Sequence, residues 1–394
     1  MTISEEIKIQ PIEQVINNAI AFGKQEGGAV AVWRTPGEDN IQLIVDFSAE
    51  LQPTQDPLDS KAPGFVFAPF DISEDTYLVK ADLHINLGNH QITTRPDYSV
   101  STKTEKLLTF LEKEKSPKTS YSDIGVSESK EDKDKFIQLV NSSVKAIQNG
   151  QFQKVVPSRK KEIHFDKPLN VGNNFLRLTK AYPSAFISLV FVPQAGIWMG
   201  ATPELLISVK DNIFKSVALA GTQKYEDGTS LSNVAWTQKE IEEQALVSRY
   251  IINCFKKIRL REFEEVGPKT VIAGNLLHLK TEYKVNMVAT NFTDLGEVML
   301  KLLHPTSAIC GMPLSPAREF LLQHEHYDRK YFAGYLGPAN FDNSTQLYVN
   351  LRCMHIEEDK ATVFAGAGVT EDSQPEKEWE ETEIKMNTLL NIIK

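Results

Sequence analysis

The feature that most restricts how this chain can fold lies in its last fifth, where two strand-like runs, a glycine turn and an acidic helix follow in close succession. Gln346–Glu357 reads QLYVNLRCMHIE and alternates apolar and polar residues in the manner of a β-strand. Ala361–Gly368 (ATVFAGAG) is a second strand-like run and ends in glycines. Pro375–Leu390 (PEKEWEETEIKMNTLL) predicts a helix, with proline near its start, where a missing N–H costs least.

On that helix Glu378, Glu381 and Lys385 are spaced i, i+3, i+7 and share one face. Two carboxylates a turn apart suit a hard cation such as Mg²⁺, which takes one or two protein carboxylates together with water and substrate oxygens. Gly366 and Gly368 let a ligand approach bare backbone. Arg352 offers a planar five-donor fork for a carboxylate. The same residues also suit a plain surface helix with a Glu381–Lys385 ion pair.

The 394 residues are enough for one large domain or two ordinary ones, and 41% apolar content supports a real core. A net charge of −9 argues against a general nucleic-acid or anionic-membrane binder. Cys254, Cys310 and Cys353 have no metal-ligand spacing and fit a reducing compartment. The first residues lack the apolar core of a secretory signal, and no apolar run approaches the ~20 residues needed to cross a membrane. The expectation is a cytoplasmic protein without membrane or nucleic-acid partners.

In the N-terminal portion, 1–113, the pattern predicts a helix over Ile12–Gly23, strands over Ala29–Trp33, Ile41–Phe47, Gly64–Phe70 and Thr76–Ile85, and a helix over Lys103–Lys113. Residues 114–134, rich in Lys, Glu, Asp and Ser, read as a charged exposed loop before the remaining portion, 135–394. Asp134–Asn149 has the apolar spacing of a helix, and Gly150 ends it. QFQKVVPSRK reads as one strand with Lys154 near its start, a place where a lysine is ordinarily a solvated edge charge. Trp236–Ile258 predicts a long amphipathic helix with Ile241, Ala245, Ser248, Ile252 and Phe255 as its buried stripe and Glu240 and Glu243 on an adjacent face.

The order of these segments resembles the chorismate-binding enzymes, the family of isochorismate, salicylate, anthranilate and aminodeoxychorismate synthases. RC…AGAG…EWEETEIK is similar to that family's C-terminal signature, and FQKVVPSR to the KVVLSR segment of its water-using members. GATPELLISV resembles GATPELLL, VALAGT resembles ALAGT, and KEIEEQALV resembles KDRxEHxxV. HPTSAICGMP and YDRKYFAGYLG resemble LHPTPAxxGxP and FDRxxYxGxxG. The matched segments extend from about residue 150 to 390. Pro157, Ile241, Gln244 and Ser307 depart from the common pattern, and Phe332 stands where salicylate synthases have tyrosine.

The resemblance implies an α+β chorismate-binding fold like that of anthranilate synthase component I. Antiparallel sheets pack face to face, helices flank them, and the site lies in a cleft between two intertwined halves. It implies an isochorismate synthase with chorismate as substrate and Mg²⁺ as cofactor, monomeric or homodimeric, serving menaquinone, siderophore or salicylate routes. Lys154 falls on the base that activates water and Glu204 on the acid that protonates the leaving C4 hydroxyl. A lysine base must be neutral, and a carboxylic acid near neutral pH needs a raised pKa. Gly221 and Thr222 fall beside the ring, His278 near the enolpyruvyl group, and Arg352, Gly366, Gly368 and Lys385 among the substrate-binding residues. Glu243 and Glu381 fall on metal ligands, with Glu240 and Glu378 as further acidic contacts. A salicylate synthase, an ammonia-using synthase component and a catalytically silent chorismate-binding protein are the alternatives; Lys154 argues against the second, because ammonia users carry glutamine there.

Overall fold

A computed structural model describes residues 2–3, 10–59, 61–89, 91–94, 102–112, 124–127, 130–225, 230–273 and 276–393. Among these residues the helices are α1 (Ile12–Glu26), α2 (Thr102–Leu111), α3 (Lys130–Gln148), α4 (Val171–Ala181), α5 (Gln238–Lys257), α6 (Leu295–Leu303), α7 (Leu314–His324) and α8 (Pro375–Leu390). The described strands form two large sheets and one short ribbon.

The larger sheet has eleven strands, in the spatial order Thr2–Ile3, Gln91–Thr94, Leu83–Asn86, Ile41–Asp46, Ala29–Arg34, Phe186–Val192, Gly196–Thr202, Cys353–Ile356, Lys360–Gly366, Ser158–Phe165 and Ile124–Ser127. The smaller has eight: Glu264–Ala273, Leu276–Asn286, Ile213–Lys224, Leu205–Lys210, Ser344–Val349, Tyr335–Ala339, Gly64–Ala68 and Tyr77–Lys80. Lys154–Val155 pairs with Gly311–Met312 in the ribbon. The ladders are antiparallel throughout. The fold is thus the expected α+β arrangement of antiparallel sheets flanked by helices.

Period-two alternation explains how the larger sheet is held. Along Ala29–Arg34, Ala29, Ala31 and Trp33 enter the core shared with the smaller sheet, where they join Phe65, Phe67, Phe214 and Tyr348. Val30 and Val32 point the other way, into a second core under α1, α2, α4 and α8 with Phe22, Leu107, Phe175 and Met386. The strand is buried along its whole length, so it reads as continuous apolar sequence although its side chains serve two cores.

Four expectations need correction. Thr76–Ile85 is two strands, Tyr77–Lys80 in the smaller sheet and Leu83–Asn86 in the larger. The crossing is pinned by carboxylates: Asp46 accepts from Lys80 N at 2.8 Å, and Asp82 accepts from Phe47 N at 2.9 Å. QFQKVVPSRK is likewise two strands, broken at Pro157, which has no N–H for a ladder. The segment read as an exposed loop, 114–134, supplies the edge strand Ile124–Ser127 and the start of α3; residues 114–123 and 128–129 lie outside the described ones. On α5 the buried face is turned from the expected one: Ile241 is 48% exposed, while Gln244, Val247, Tyr250, Ile251 and Cys254 are buried together with Phe255. Hydrogen bonds make the polar members acceptable, Gln244 Nε2 donating to Thr281 Oγ1 at 3.0 Å and Tyr250 to Leu302 O at 2.9 Å.

Candidate active site

The chain crosses between the two large sheets at Pro203–Glu204, and again at Asn350–Arg352. These crossings run side by side: Val349 N donates to Glu204 O at 2.9 Å, and Ala201 N donates to Arg352 O at 3.0 Å. Strand ladders cannot continue there, so the side chains of Glu204 and Arg352 turn into a cavity at the junction. Arg352 adopts φ +49, a left-handed conformation uncommon for a residue with a side chain, held by ordered strands on both sides.

Glu204, Gly221, Thr222, Glu243, His278, Arg352, Gly366, Gly368 and Lys385 all line this cavity. Its empty volume is about 760 Å³, counting the space open at its mouth. Lys154 lies immediately behind the wall, fully buried, with Nζ donating to Glu243 Oε1 at 2.9 Å. It reaches this place because its two-residue strand is clasped between Gly311–Met312 and Val369. Far from being a solvated edge charge, it is among the largest fully enclosed side chains.

A β-bulge shapes the opposite wall. The register of Ile213–Lys224 against Leu276–Asn286 shifts between Ala220 and Gln223, so Gly221 and Thr222 stand opposite His278 alone. Gly221 has φ +71, which suits glycine. His278 Nδ1 lies 2.7 Å from Gly221 O; the carbonyl can only accept, so Nδ1 carries the proton. Nε2 is left as a buried acceptor with no partner. Burial, together with the charge of Arg352, pushes the imidazole down to about 3, so it is neutral.

Helices α5 and α8 bring the acidic residues together. Lys239 Nζ on α5 donates to Glu378 Oε1 on α8 at 2.5 Å, and Lys385 Nζ donates to Glu381 Oε1 at 2.7 Å and to Gly366 O at 2.8 Å. Glu378 is enclosed; its Oε2 has no hydrogen-bond partner within 3.5 Å, although the Ser373 hydroxyl acts on the carboxyl. Glu240 is placed differently from the other three carboxylates. It closes a capping box at the start of α5, accepting from Thr237 N at 2.9 Å. Among the described residues no group of three or more acidic, histidine or cysteine side chains is drawn together closely enough to hold a metal ion.

Charge at the site follows from burial and from these pairings. Desolvation pushes the Glu204 carboxyl up to about 7 against the opposing pull of Lys154, Lys385 and Arg352. Burial also works to raise Glu243, but Lys154, bonded to it, with Lys385 and Lys239, brings it below its ordinary value. Burial, then the charge of Glu381, pushes Glu378 up. Burial lowers Arg352 to about 10, with Glu381 and Glu204 opposing; it remains a cation at neutral pH.

Sequence reasoning passed over several residues here. Arg329 and Ser158 line the cavity, and Glu325 ties them together: Arg329 Nε and Nη2 donate to Glu325 at 2.7 and 2.6 Å, and Ser158 N donates to it at 2.6 Å. Arg329 also holds Val156 O and Ile309 O. Lys239 was equally unremarked, although a lysine in the first turn of a helix, four residues before Glu243, runs against the helix dipole and could have drawn attention.

A carboxyl poised near neutrality, a buried lysine, an arginine and three further carboxylates thus gather around one cavity at the junction of two packed antiparallel sheets. The protein belongs to the chorismate-binding enzymes: the family described as "Chorismate binding enzyme" matches residues 59–394. The chain is 28% identical over 262 residues to isochorismate synthase EntC of Escherichia coli K12, spanning 65% of this chain and 66% of EntC. It is 28% identical over 258 residues to isochorismate synthase MenF of Haemophilus influenzae, spanning 64% of this chain and 59% of MenF. The matches thus cover less than two thirds of these curated relatives. The fold is shared with menaquinone-specific isochorismate synthase MenF of E. coli, with a TM-score of 0.78 and 19% identity over all of this chain and 94% of that one. It is shared too with anthranilate synthase component I of Streptococcus pneumoniae, at 0.68 and 19% over 91% and 89%.

Proposed function

We propose that the chain is an isochorismate synthase that converts chorismate to isochorismate. The observation that carries the reading is that Lys154 and Glu204 approach one cavity, with Glu204 held near neutrality by burial. The overall change exchanges one water for another. A water oxygen bonds to ring carbon C2 and gives its proton to Lys154, which can take it only after the ammonium, paired here with Glu243, has first released one. The ring double bonds shift, the C4–O bond breaks, and Glu204 protonates the departing hydroxyl. Arg352 and the backbone at Gly366 and Gly368 would hold the enolpyruvyl carboxylate, with Lys385 beside them and Gly221, Thr222 and His278 along the ring.

The donor set suits a hard divalent ion: Glu243, Glu378 and Glu381 are oxygen donors from two facing helices, and Glu378 keeps one buried oxygen without a close partner. When bound, Mg²⁺ would offset the negative charge of the substrate's ring carboxylate. Glu240, engaged in its cap, would contribute at most through water. The three cysteines are unpaired and buried, which supports a reducing, cytoplasmic setting.

Two observations weigh against neighbouring activities. Phe332 puts an apolar ring, stacked on Phe364 at 5.2 Å, into the cavity wall where salicylate synthases have a hydroxyl. Lys154 stands where ammonia users have glutamine. Incubation with chorismate and Mg²⁺ is expected to yield isochorismate without free pyruvate. Pyruvate with salicylate would assign the chain to salicylate synthases, an aminated product with ammonium to the amine-forming branch, and binding without turnover to silent chorismate binders.

Gly368 provides a finer test. A Cβ there would lie 2.4 Å from Glu243 Oε1 and 3.2 Å from Lys154 Cε. Gly368→Ala is therefore expected to displace the Lys154–Glu243 pair and to lower kcat roughly tenfold or more, because small misplacements of reacting groups are costly. Steady-state kinetics beside an unchanged circular-dichroism spectrum would show this; wild-type kcat would mean that the pair gives way without consequence.

A further inference from the structure

Lys239 has no part in the reaction set out above, yet it stands among the acidic residues. It occupies the first turn of α5, where the free N–H groups already carry positive partial charge and a lysine is electrostatically out of place. Its position makes sense through what it meets. Nζ donates to Glu378 Oε1 at 2.5 Å across the gap between α5 and α8. Glu378, Glu381 and Glu243 are the carboxylates that act on its charge. Glu378 is itself enclosed, its second oxygen lacking a close partner, so the ammonium compensates a carboxylate shut away from water.

Three lysines thus neutralise three carboxylates, Lys154 with Glu243, Lys239 with Glu378 and Lys385 with Glu381. They are not equally held. The Lys154 side chain is 0% exposed, and Lys385 also binds Gly366 O. The Lys239 side chain is 29% exposed, the most of the three. It can leave for solvent without moving the backbone.

We infer that Lys239 is a built-in counter-ion: it holds the two acidic helices together when no divalent cation is bound, and its ammonium must withdraw from Glu378 before one can bind. The inference rests on the reading that these carboxylates receive such a cation. The ion and the ammonium then exclude each other, and the observed ion affinity is the net of their exchange. Lys239 is a residue that sets affinity, not a catalytic one.

The test is Lys239→Met, which keeps the apolar stem and removes the charge. Substrate-free full-length protein is titrated calorimetrically with MgCl₂ at low ionic strength. The Kd for Mg²⁺ is expected to fall about tenfold, the order of one charge-assisted contact no longer displaced. With EDTA the variant is expected to melt below wild type, and saturating Mg²⁺ to restore it. Lys239→Arg is expected to recover the wild-type melting temperature in EDTA and the weaker ion affinity. A residue with a merely structural role would not tighten ion binding on removal. Unchanged or weaker Mg²⁺ affinity in Lys239→Met, beside a wild type that binds the ion, overturns this inference alone. Absence of Mg²⁺ binding by both proteins, with no isochorismate formed, overturns it together with the reading beneath it.

Discussion

Lys154→Ala is expected to lower turnover of chorismate roughly 10²–10⁴-fold, the usual contribution of a positioned base, while chorismate still binds. The expectation comes from geometry. Lys154 is enclosed, directed by a two-residue strand, and joined to a carboxylate that lines the cavity. Removing it also leaves the Glu243 carboxylate without its nearest cation, so some loss of stability is expected beside the loss of rate. Calorimetric binding of chorismate to the folded variant separates the two effects. Turnover within tenfold of wild type would remove Lys154 from the role of base.

Glu204→Gln is expected to cost a comparable factor in turnover, since the amide cannot deliver a proton to the departing hydroxyl. The variant also reports the protonation state of the wild-type residue. A carboxyl held at about 7 in place of its ordinary 4.5 retains a proton that the unfolded chain has released. The stability it contributes is fully present below pH 4.5 and is lost as pH rises through 7. At about 1.36 kcal/mol per unit, on the order of 3 kcal/mol is at stake. Glutamine has no such dependence. The melting temperature of Glu204→Gln relative to wild type should therefore climb between about pH 5 and pH 8. A constant difference over that range would mean that Glu204 is already ionised in the folded protein at pH 5.

Much of the cavity was legible because its residues sit in short ordered segments, each marking a place where a ladder stops. GATPELL ends one strand and begins another across the junction of the two sheets, and AGAG ends a strand in front of α8. Such breaks need proline, glycine or a buried polar residue, and those stand out in a string of letters. The partners of a strand do not. Tyr77–Lys80 and Leu83–Asn86 follow so closely that they read as one run, and the crossing that sends them to different sheets is pinned by the buried carboxylates of Asp46 and Asp82. The turned face of α5 has the same origin. Apolar spacing favoured Ile241, whereas Gln244 and Tyr250 are inside because carbonyls and a threonine on neighbouring elements accept their hydrogens. Lys239 escaped notice because its meaning depends on Glu378, 139 positions away.

The way the first hundred residues are shared out has a consequence for modularity. Ala29–Arg34 and Ile41–Asp46 lie deep within one sheet, and Gly64–Ala68 and Tyr77–Lys80 complete the other. The groups proposed for catalysis lie in later sequence, yet a fragment holding only those would bare the hydrogen-bonding edges of Phe186–Val192 and Tyr335–Ala339, both lined with apolar side chains and open to self-association. Site and scaffold are thus woven from the same strands, and cutting away the first hundred residues would open both sheets at once.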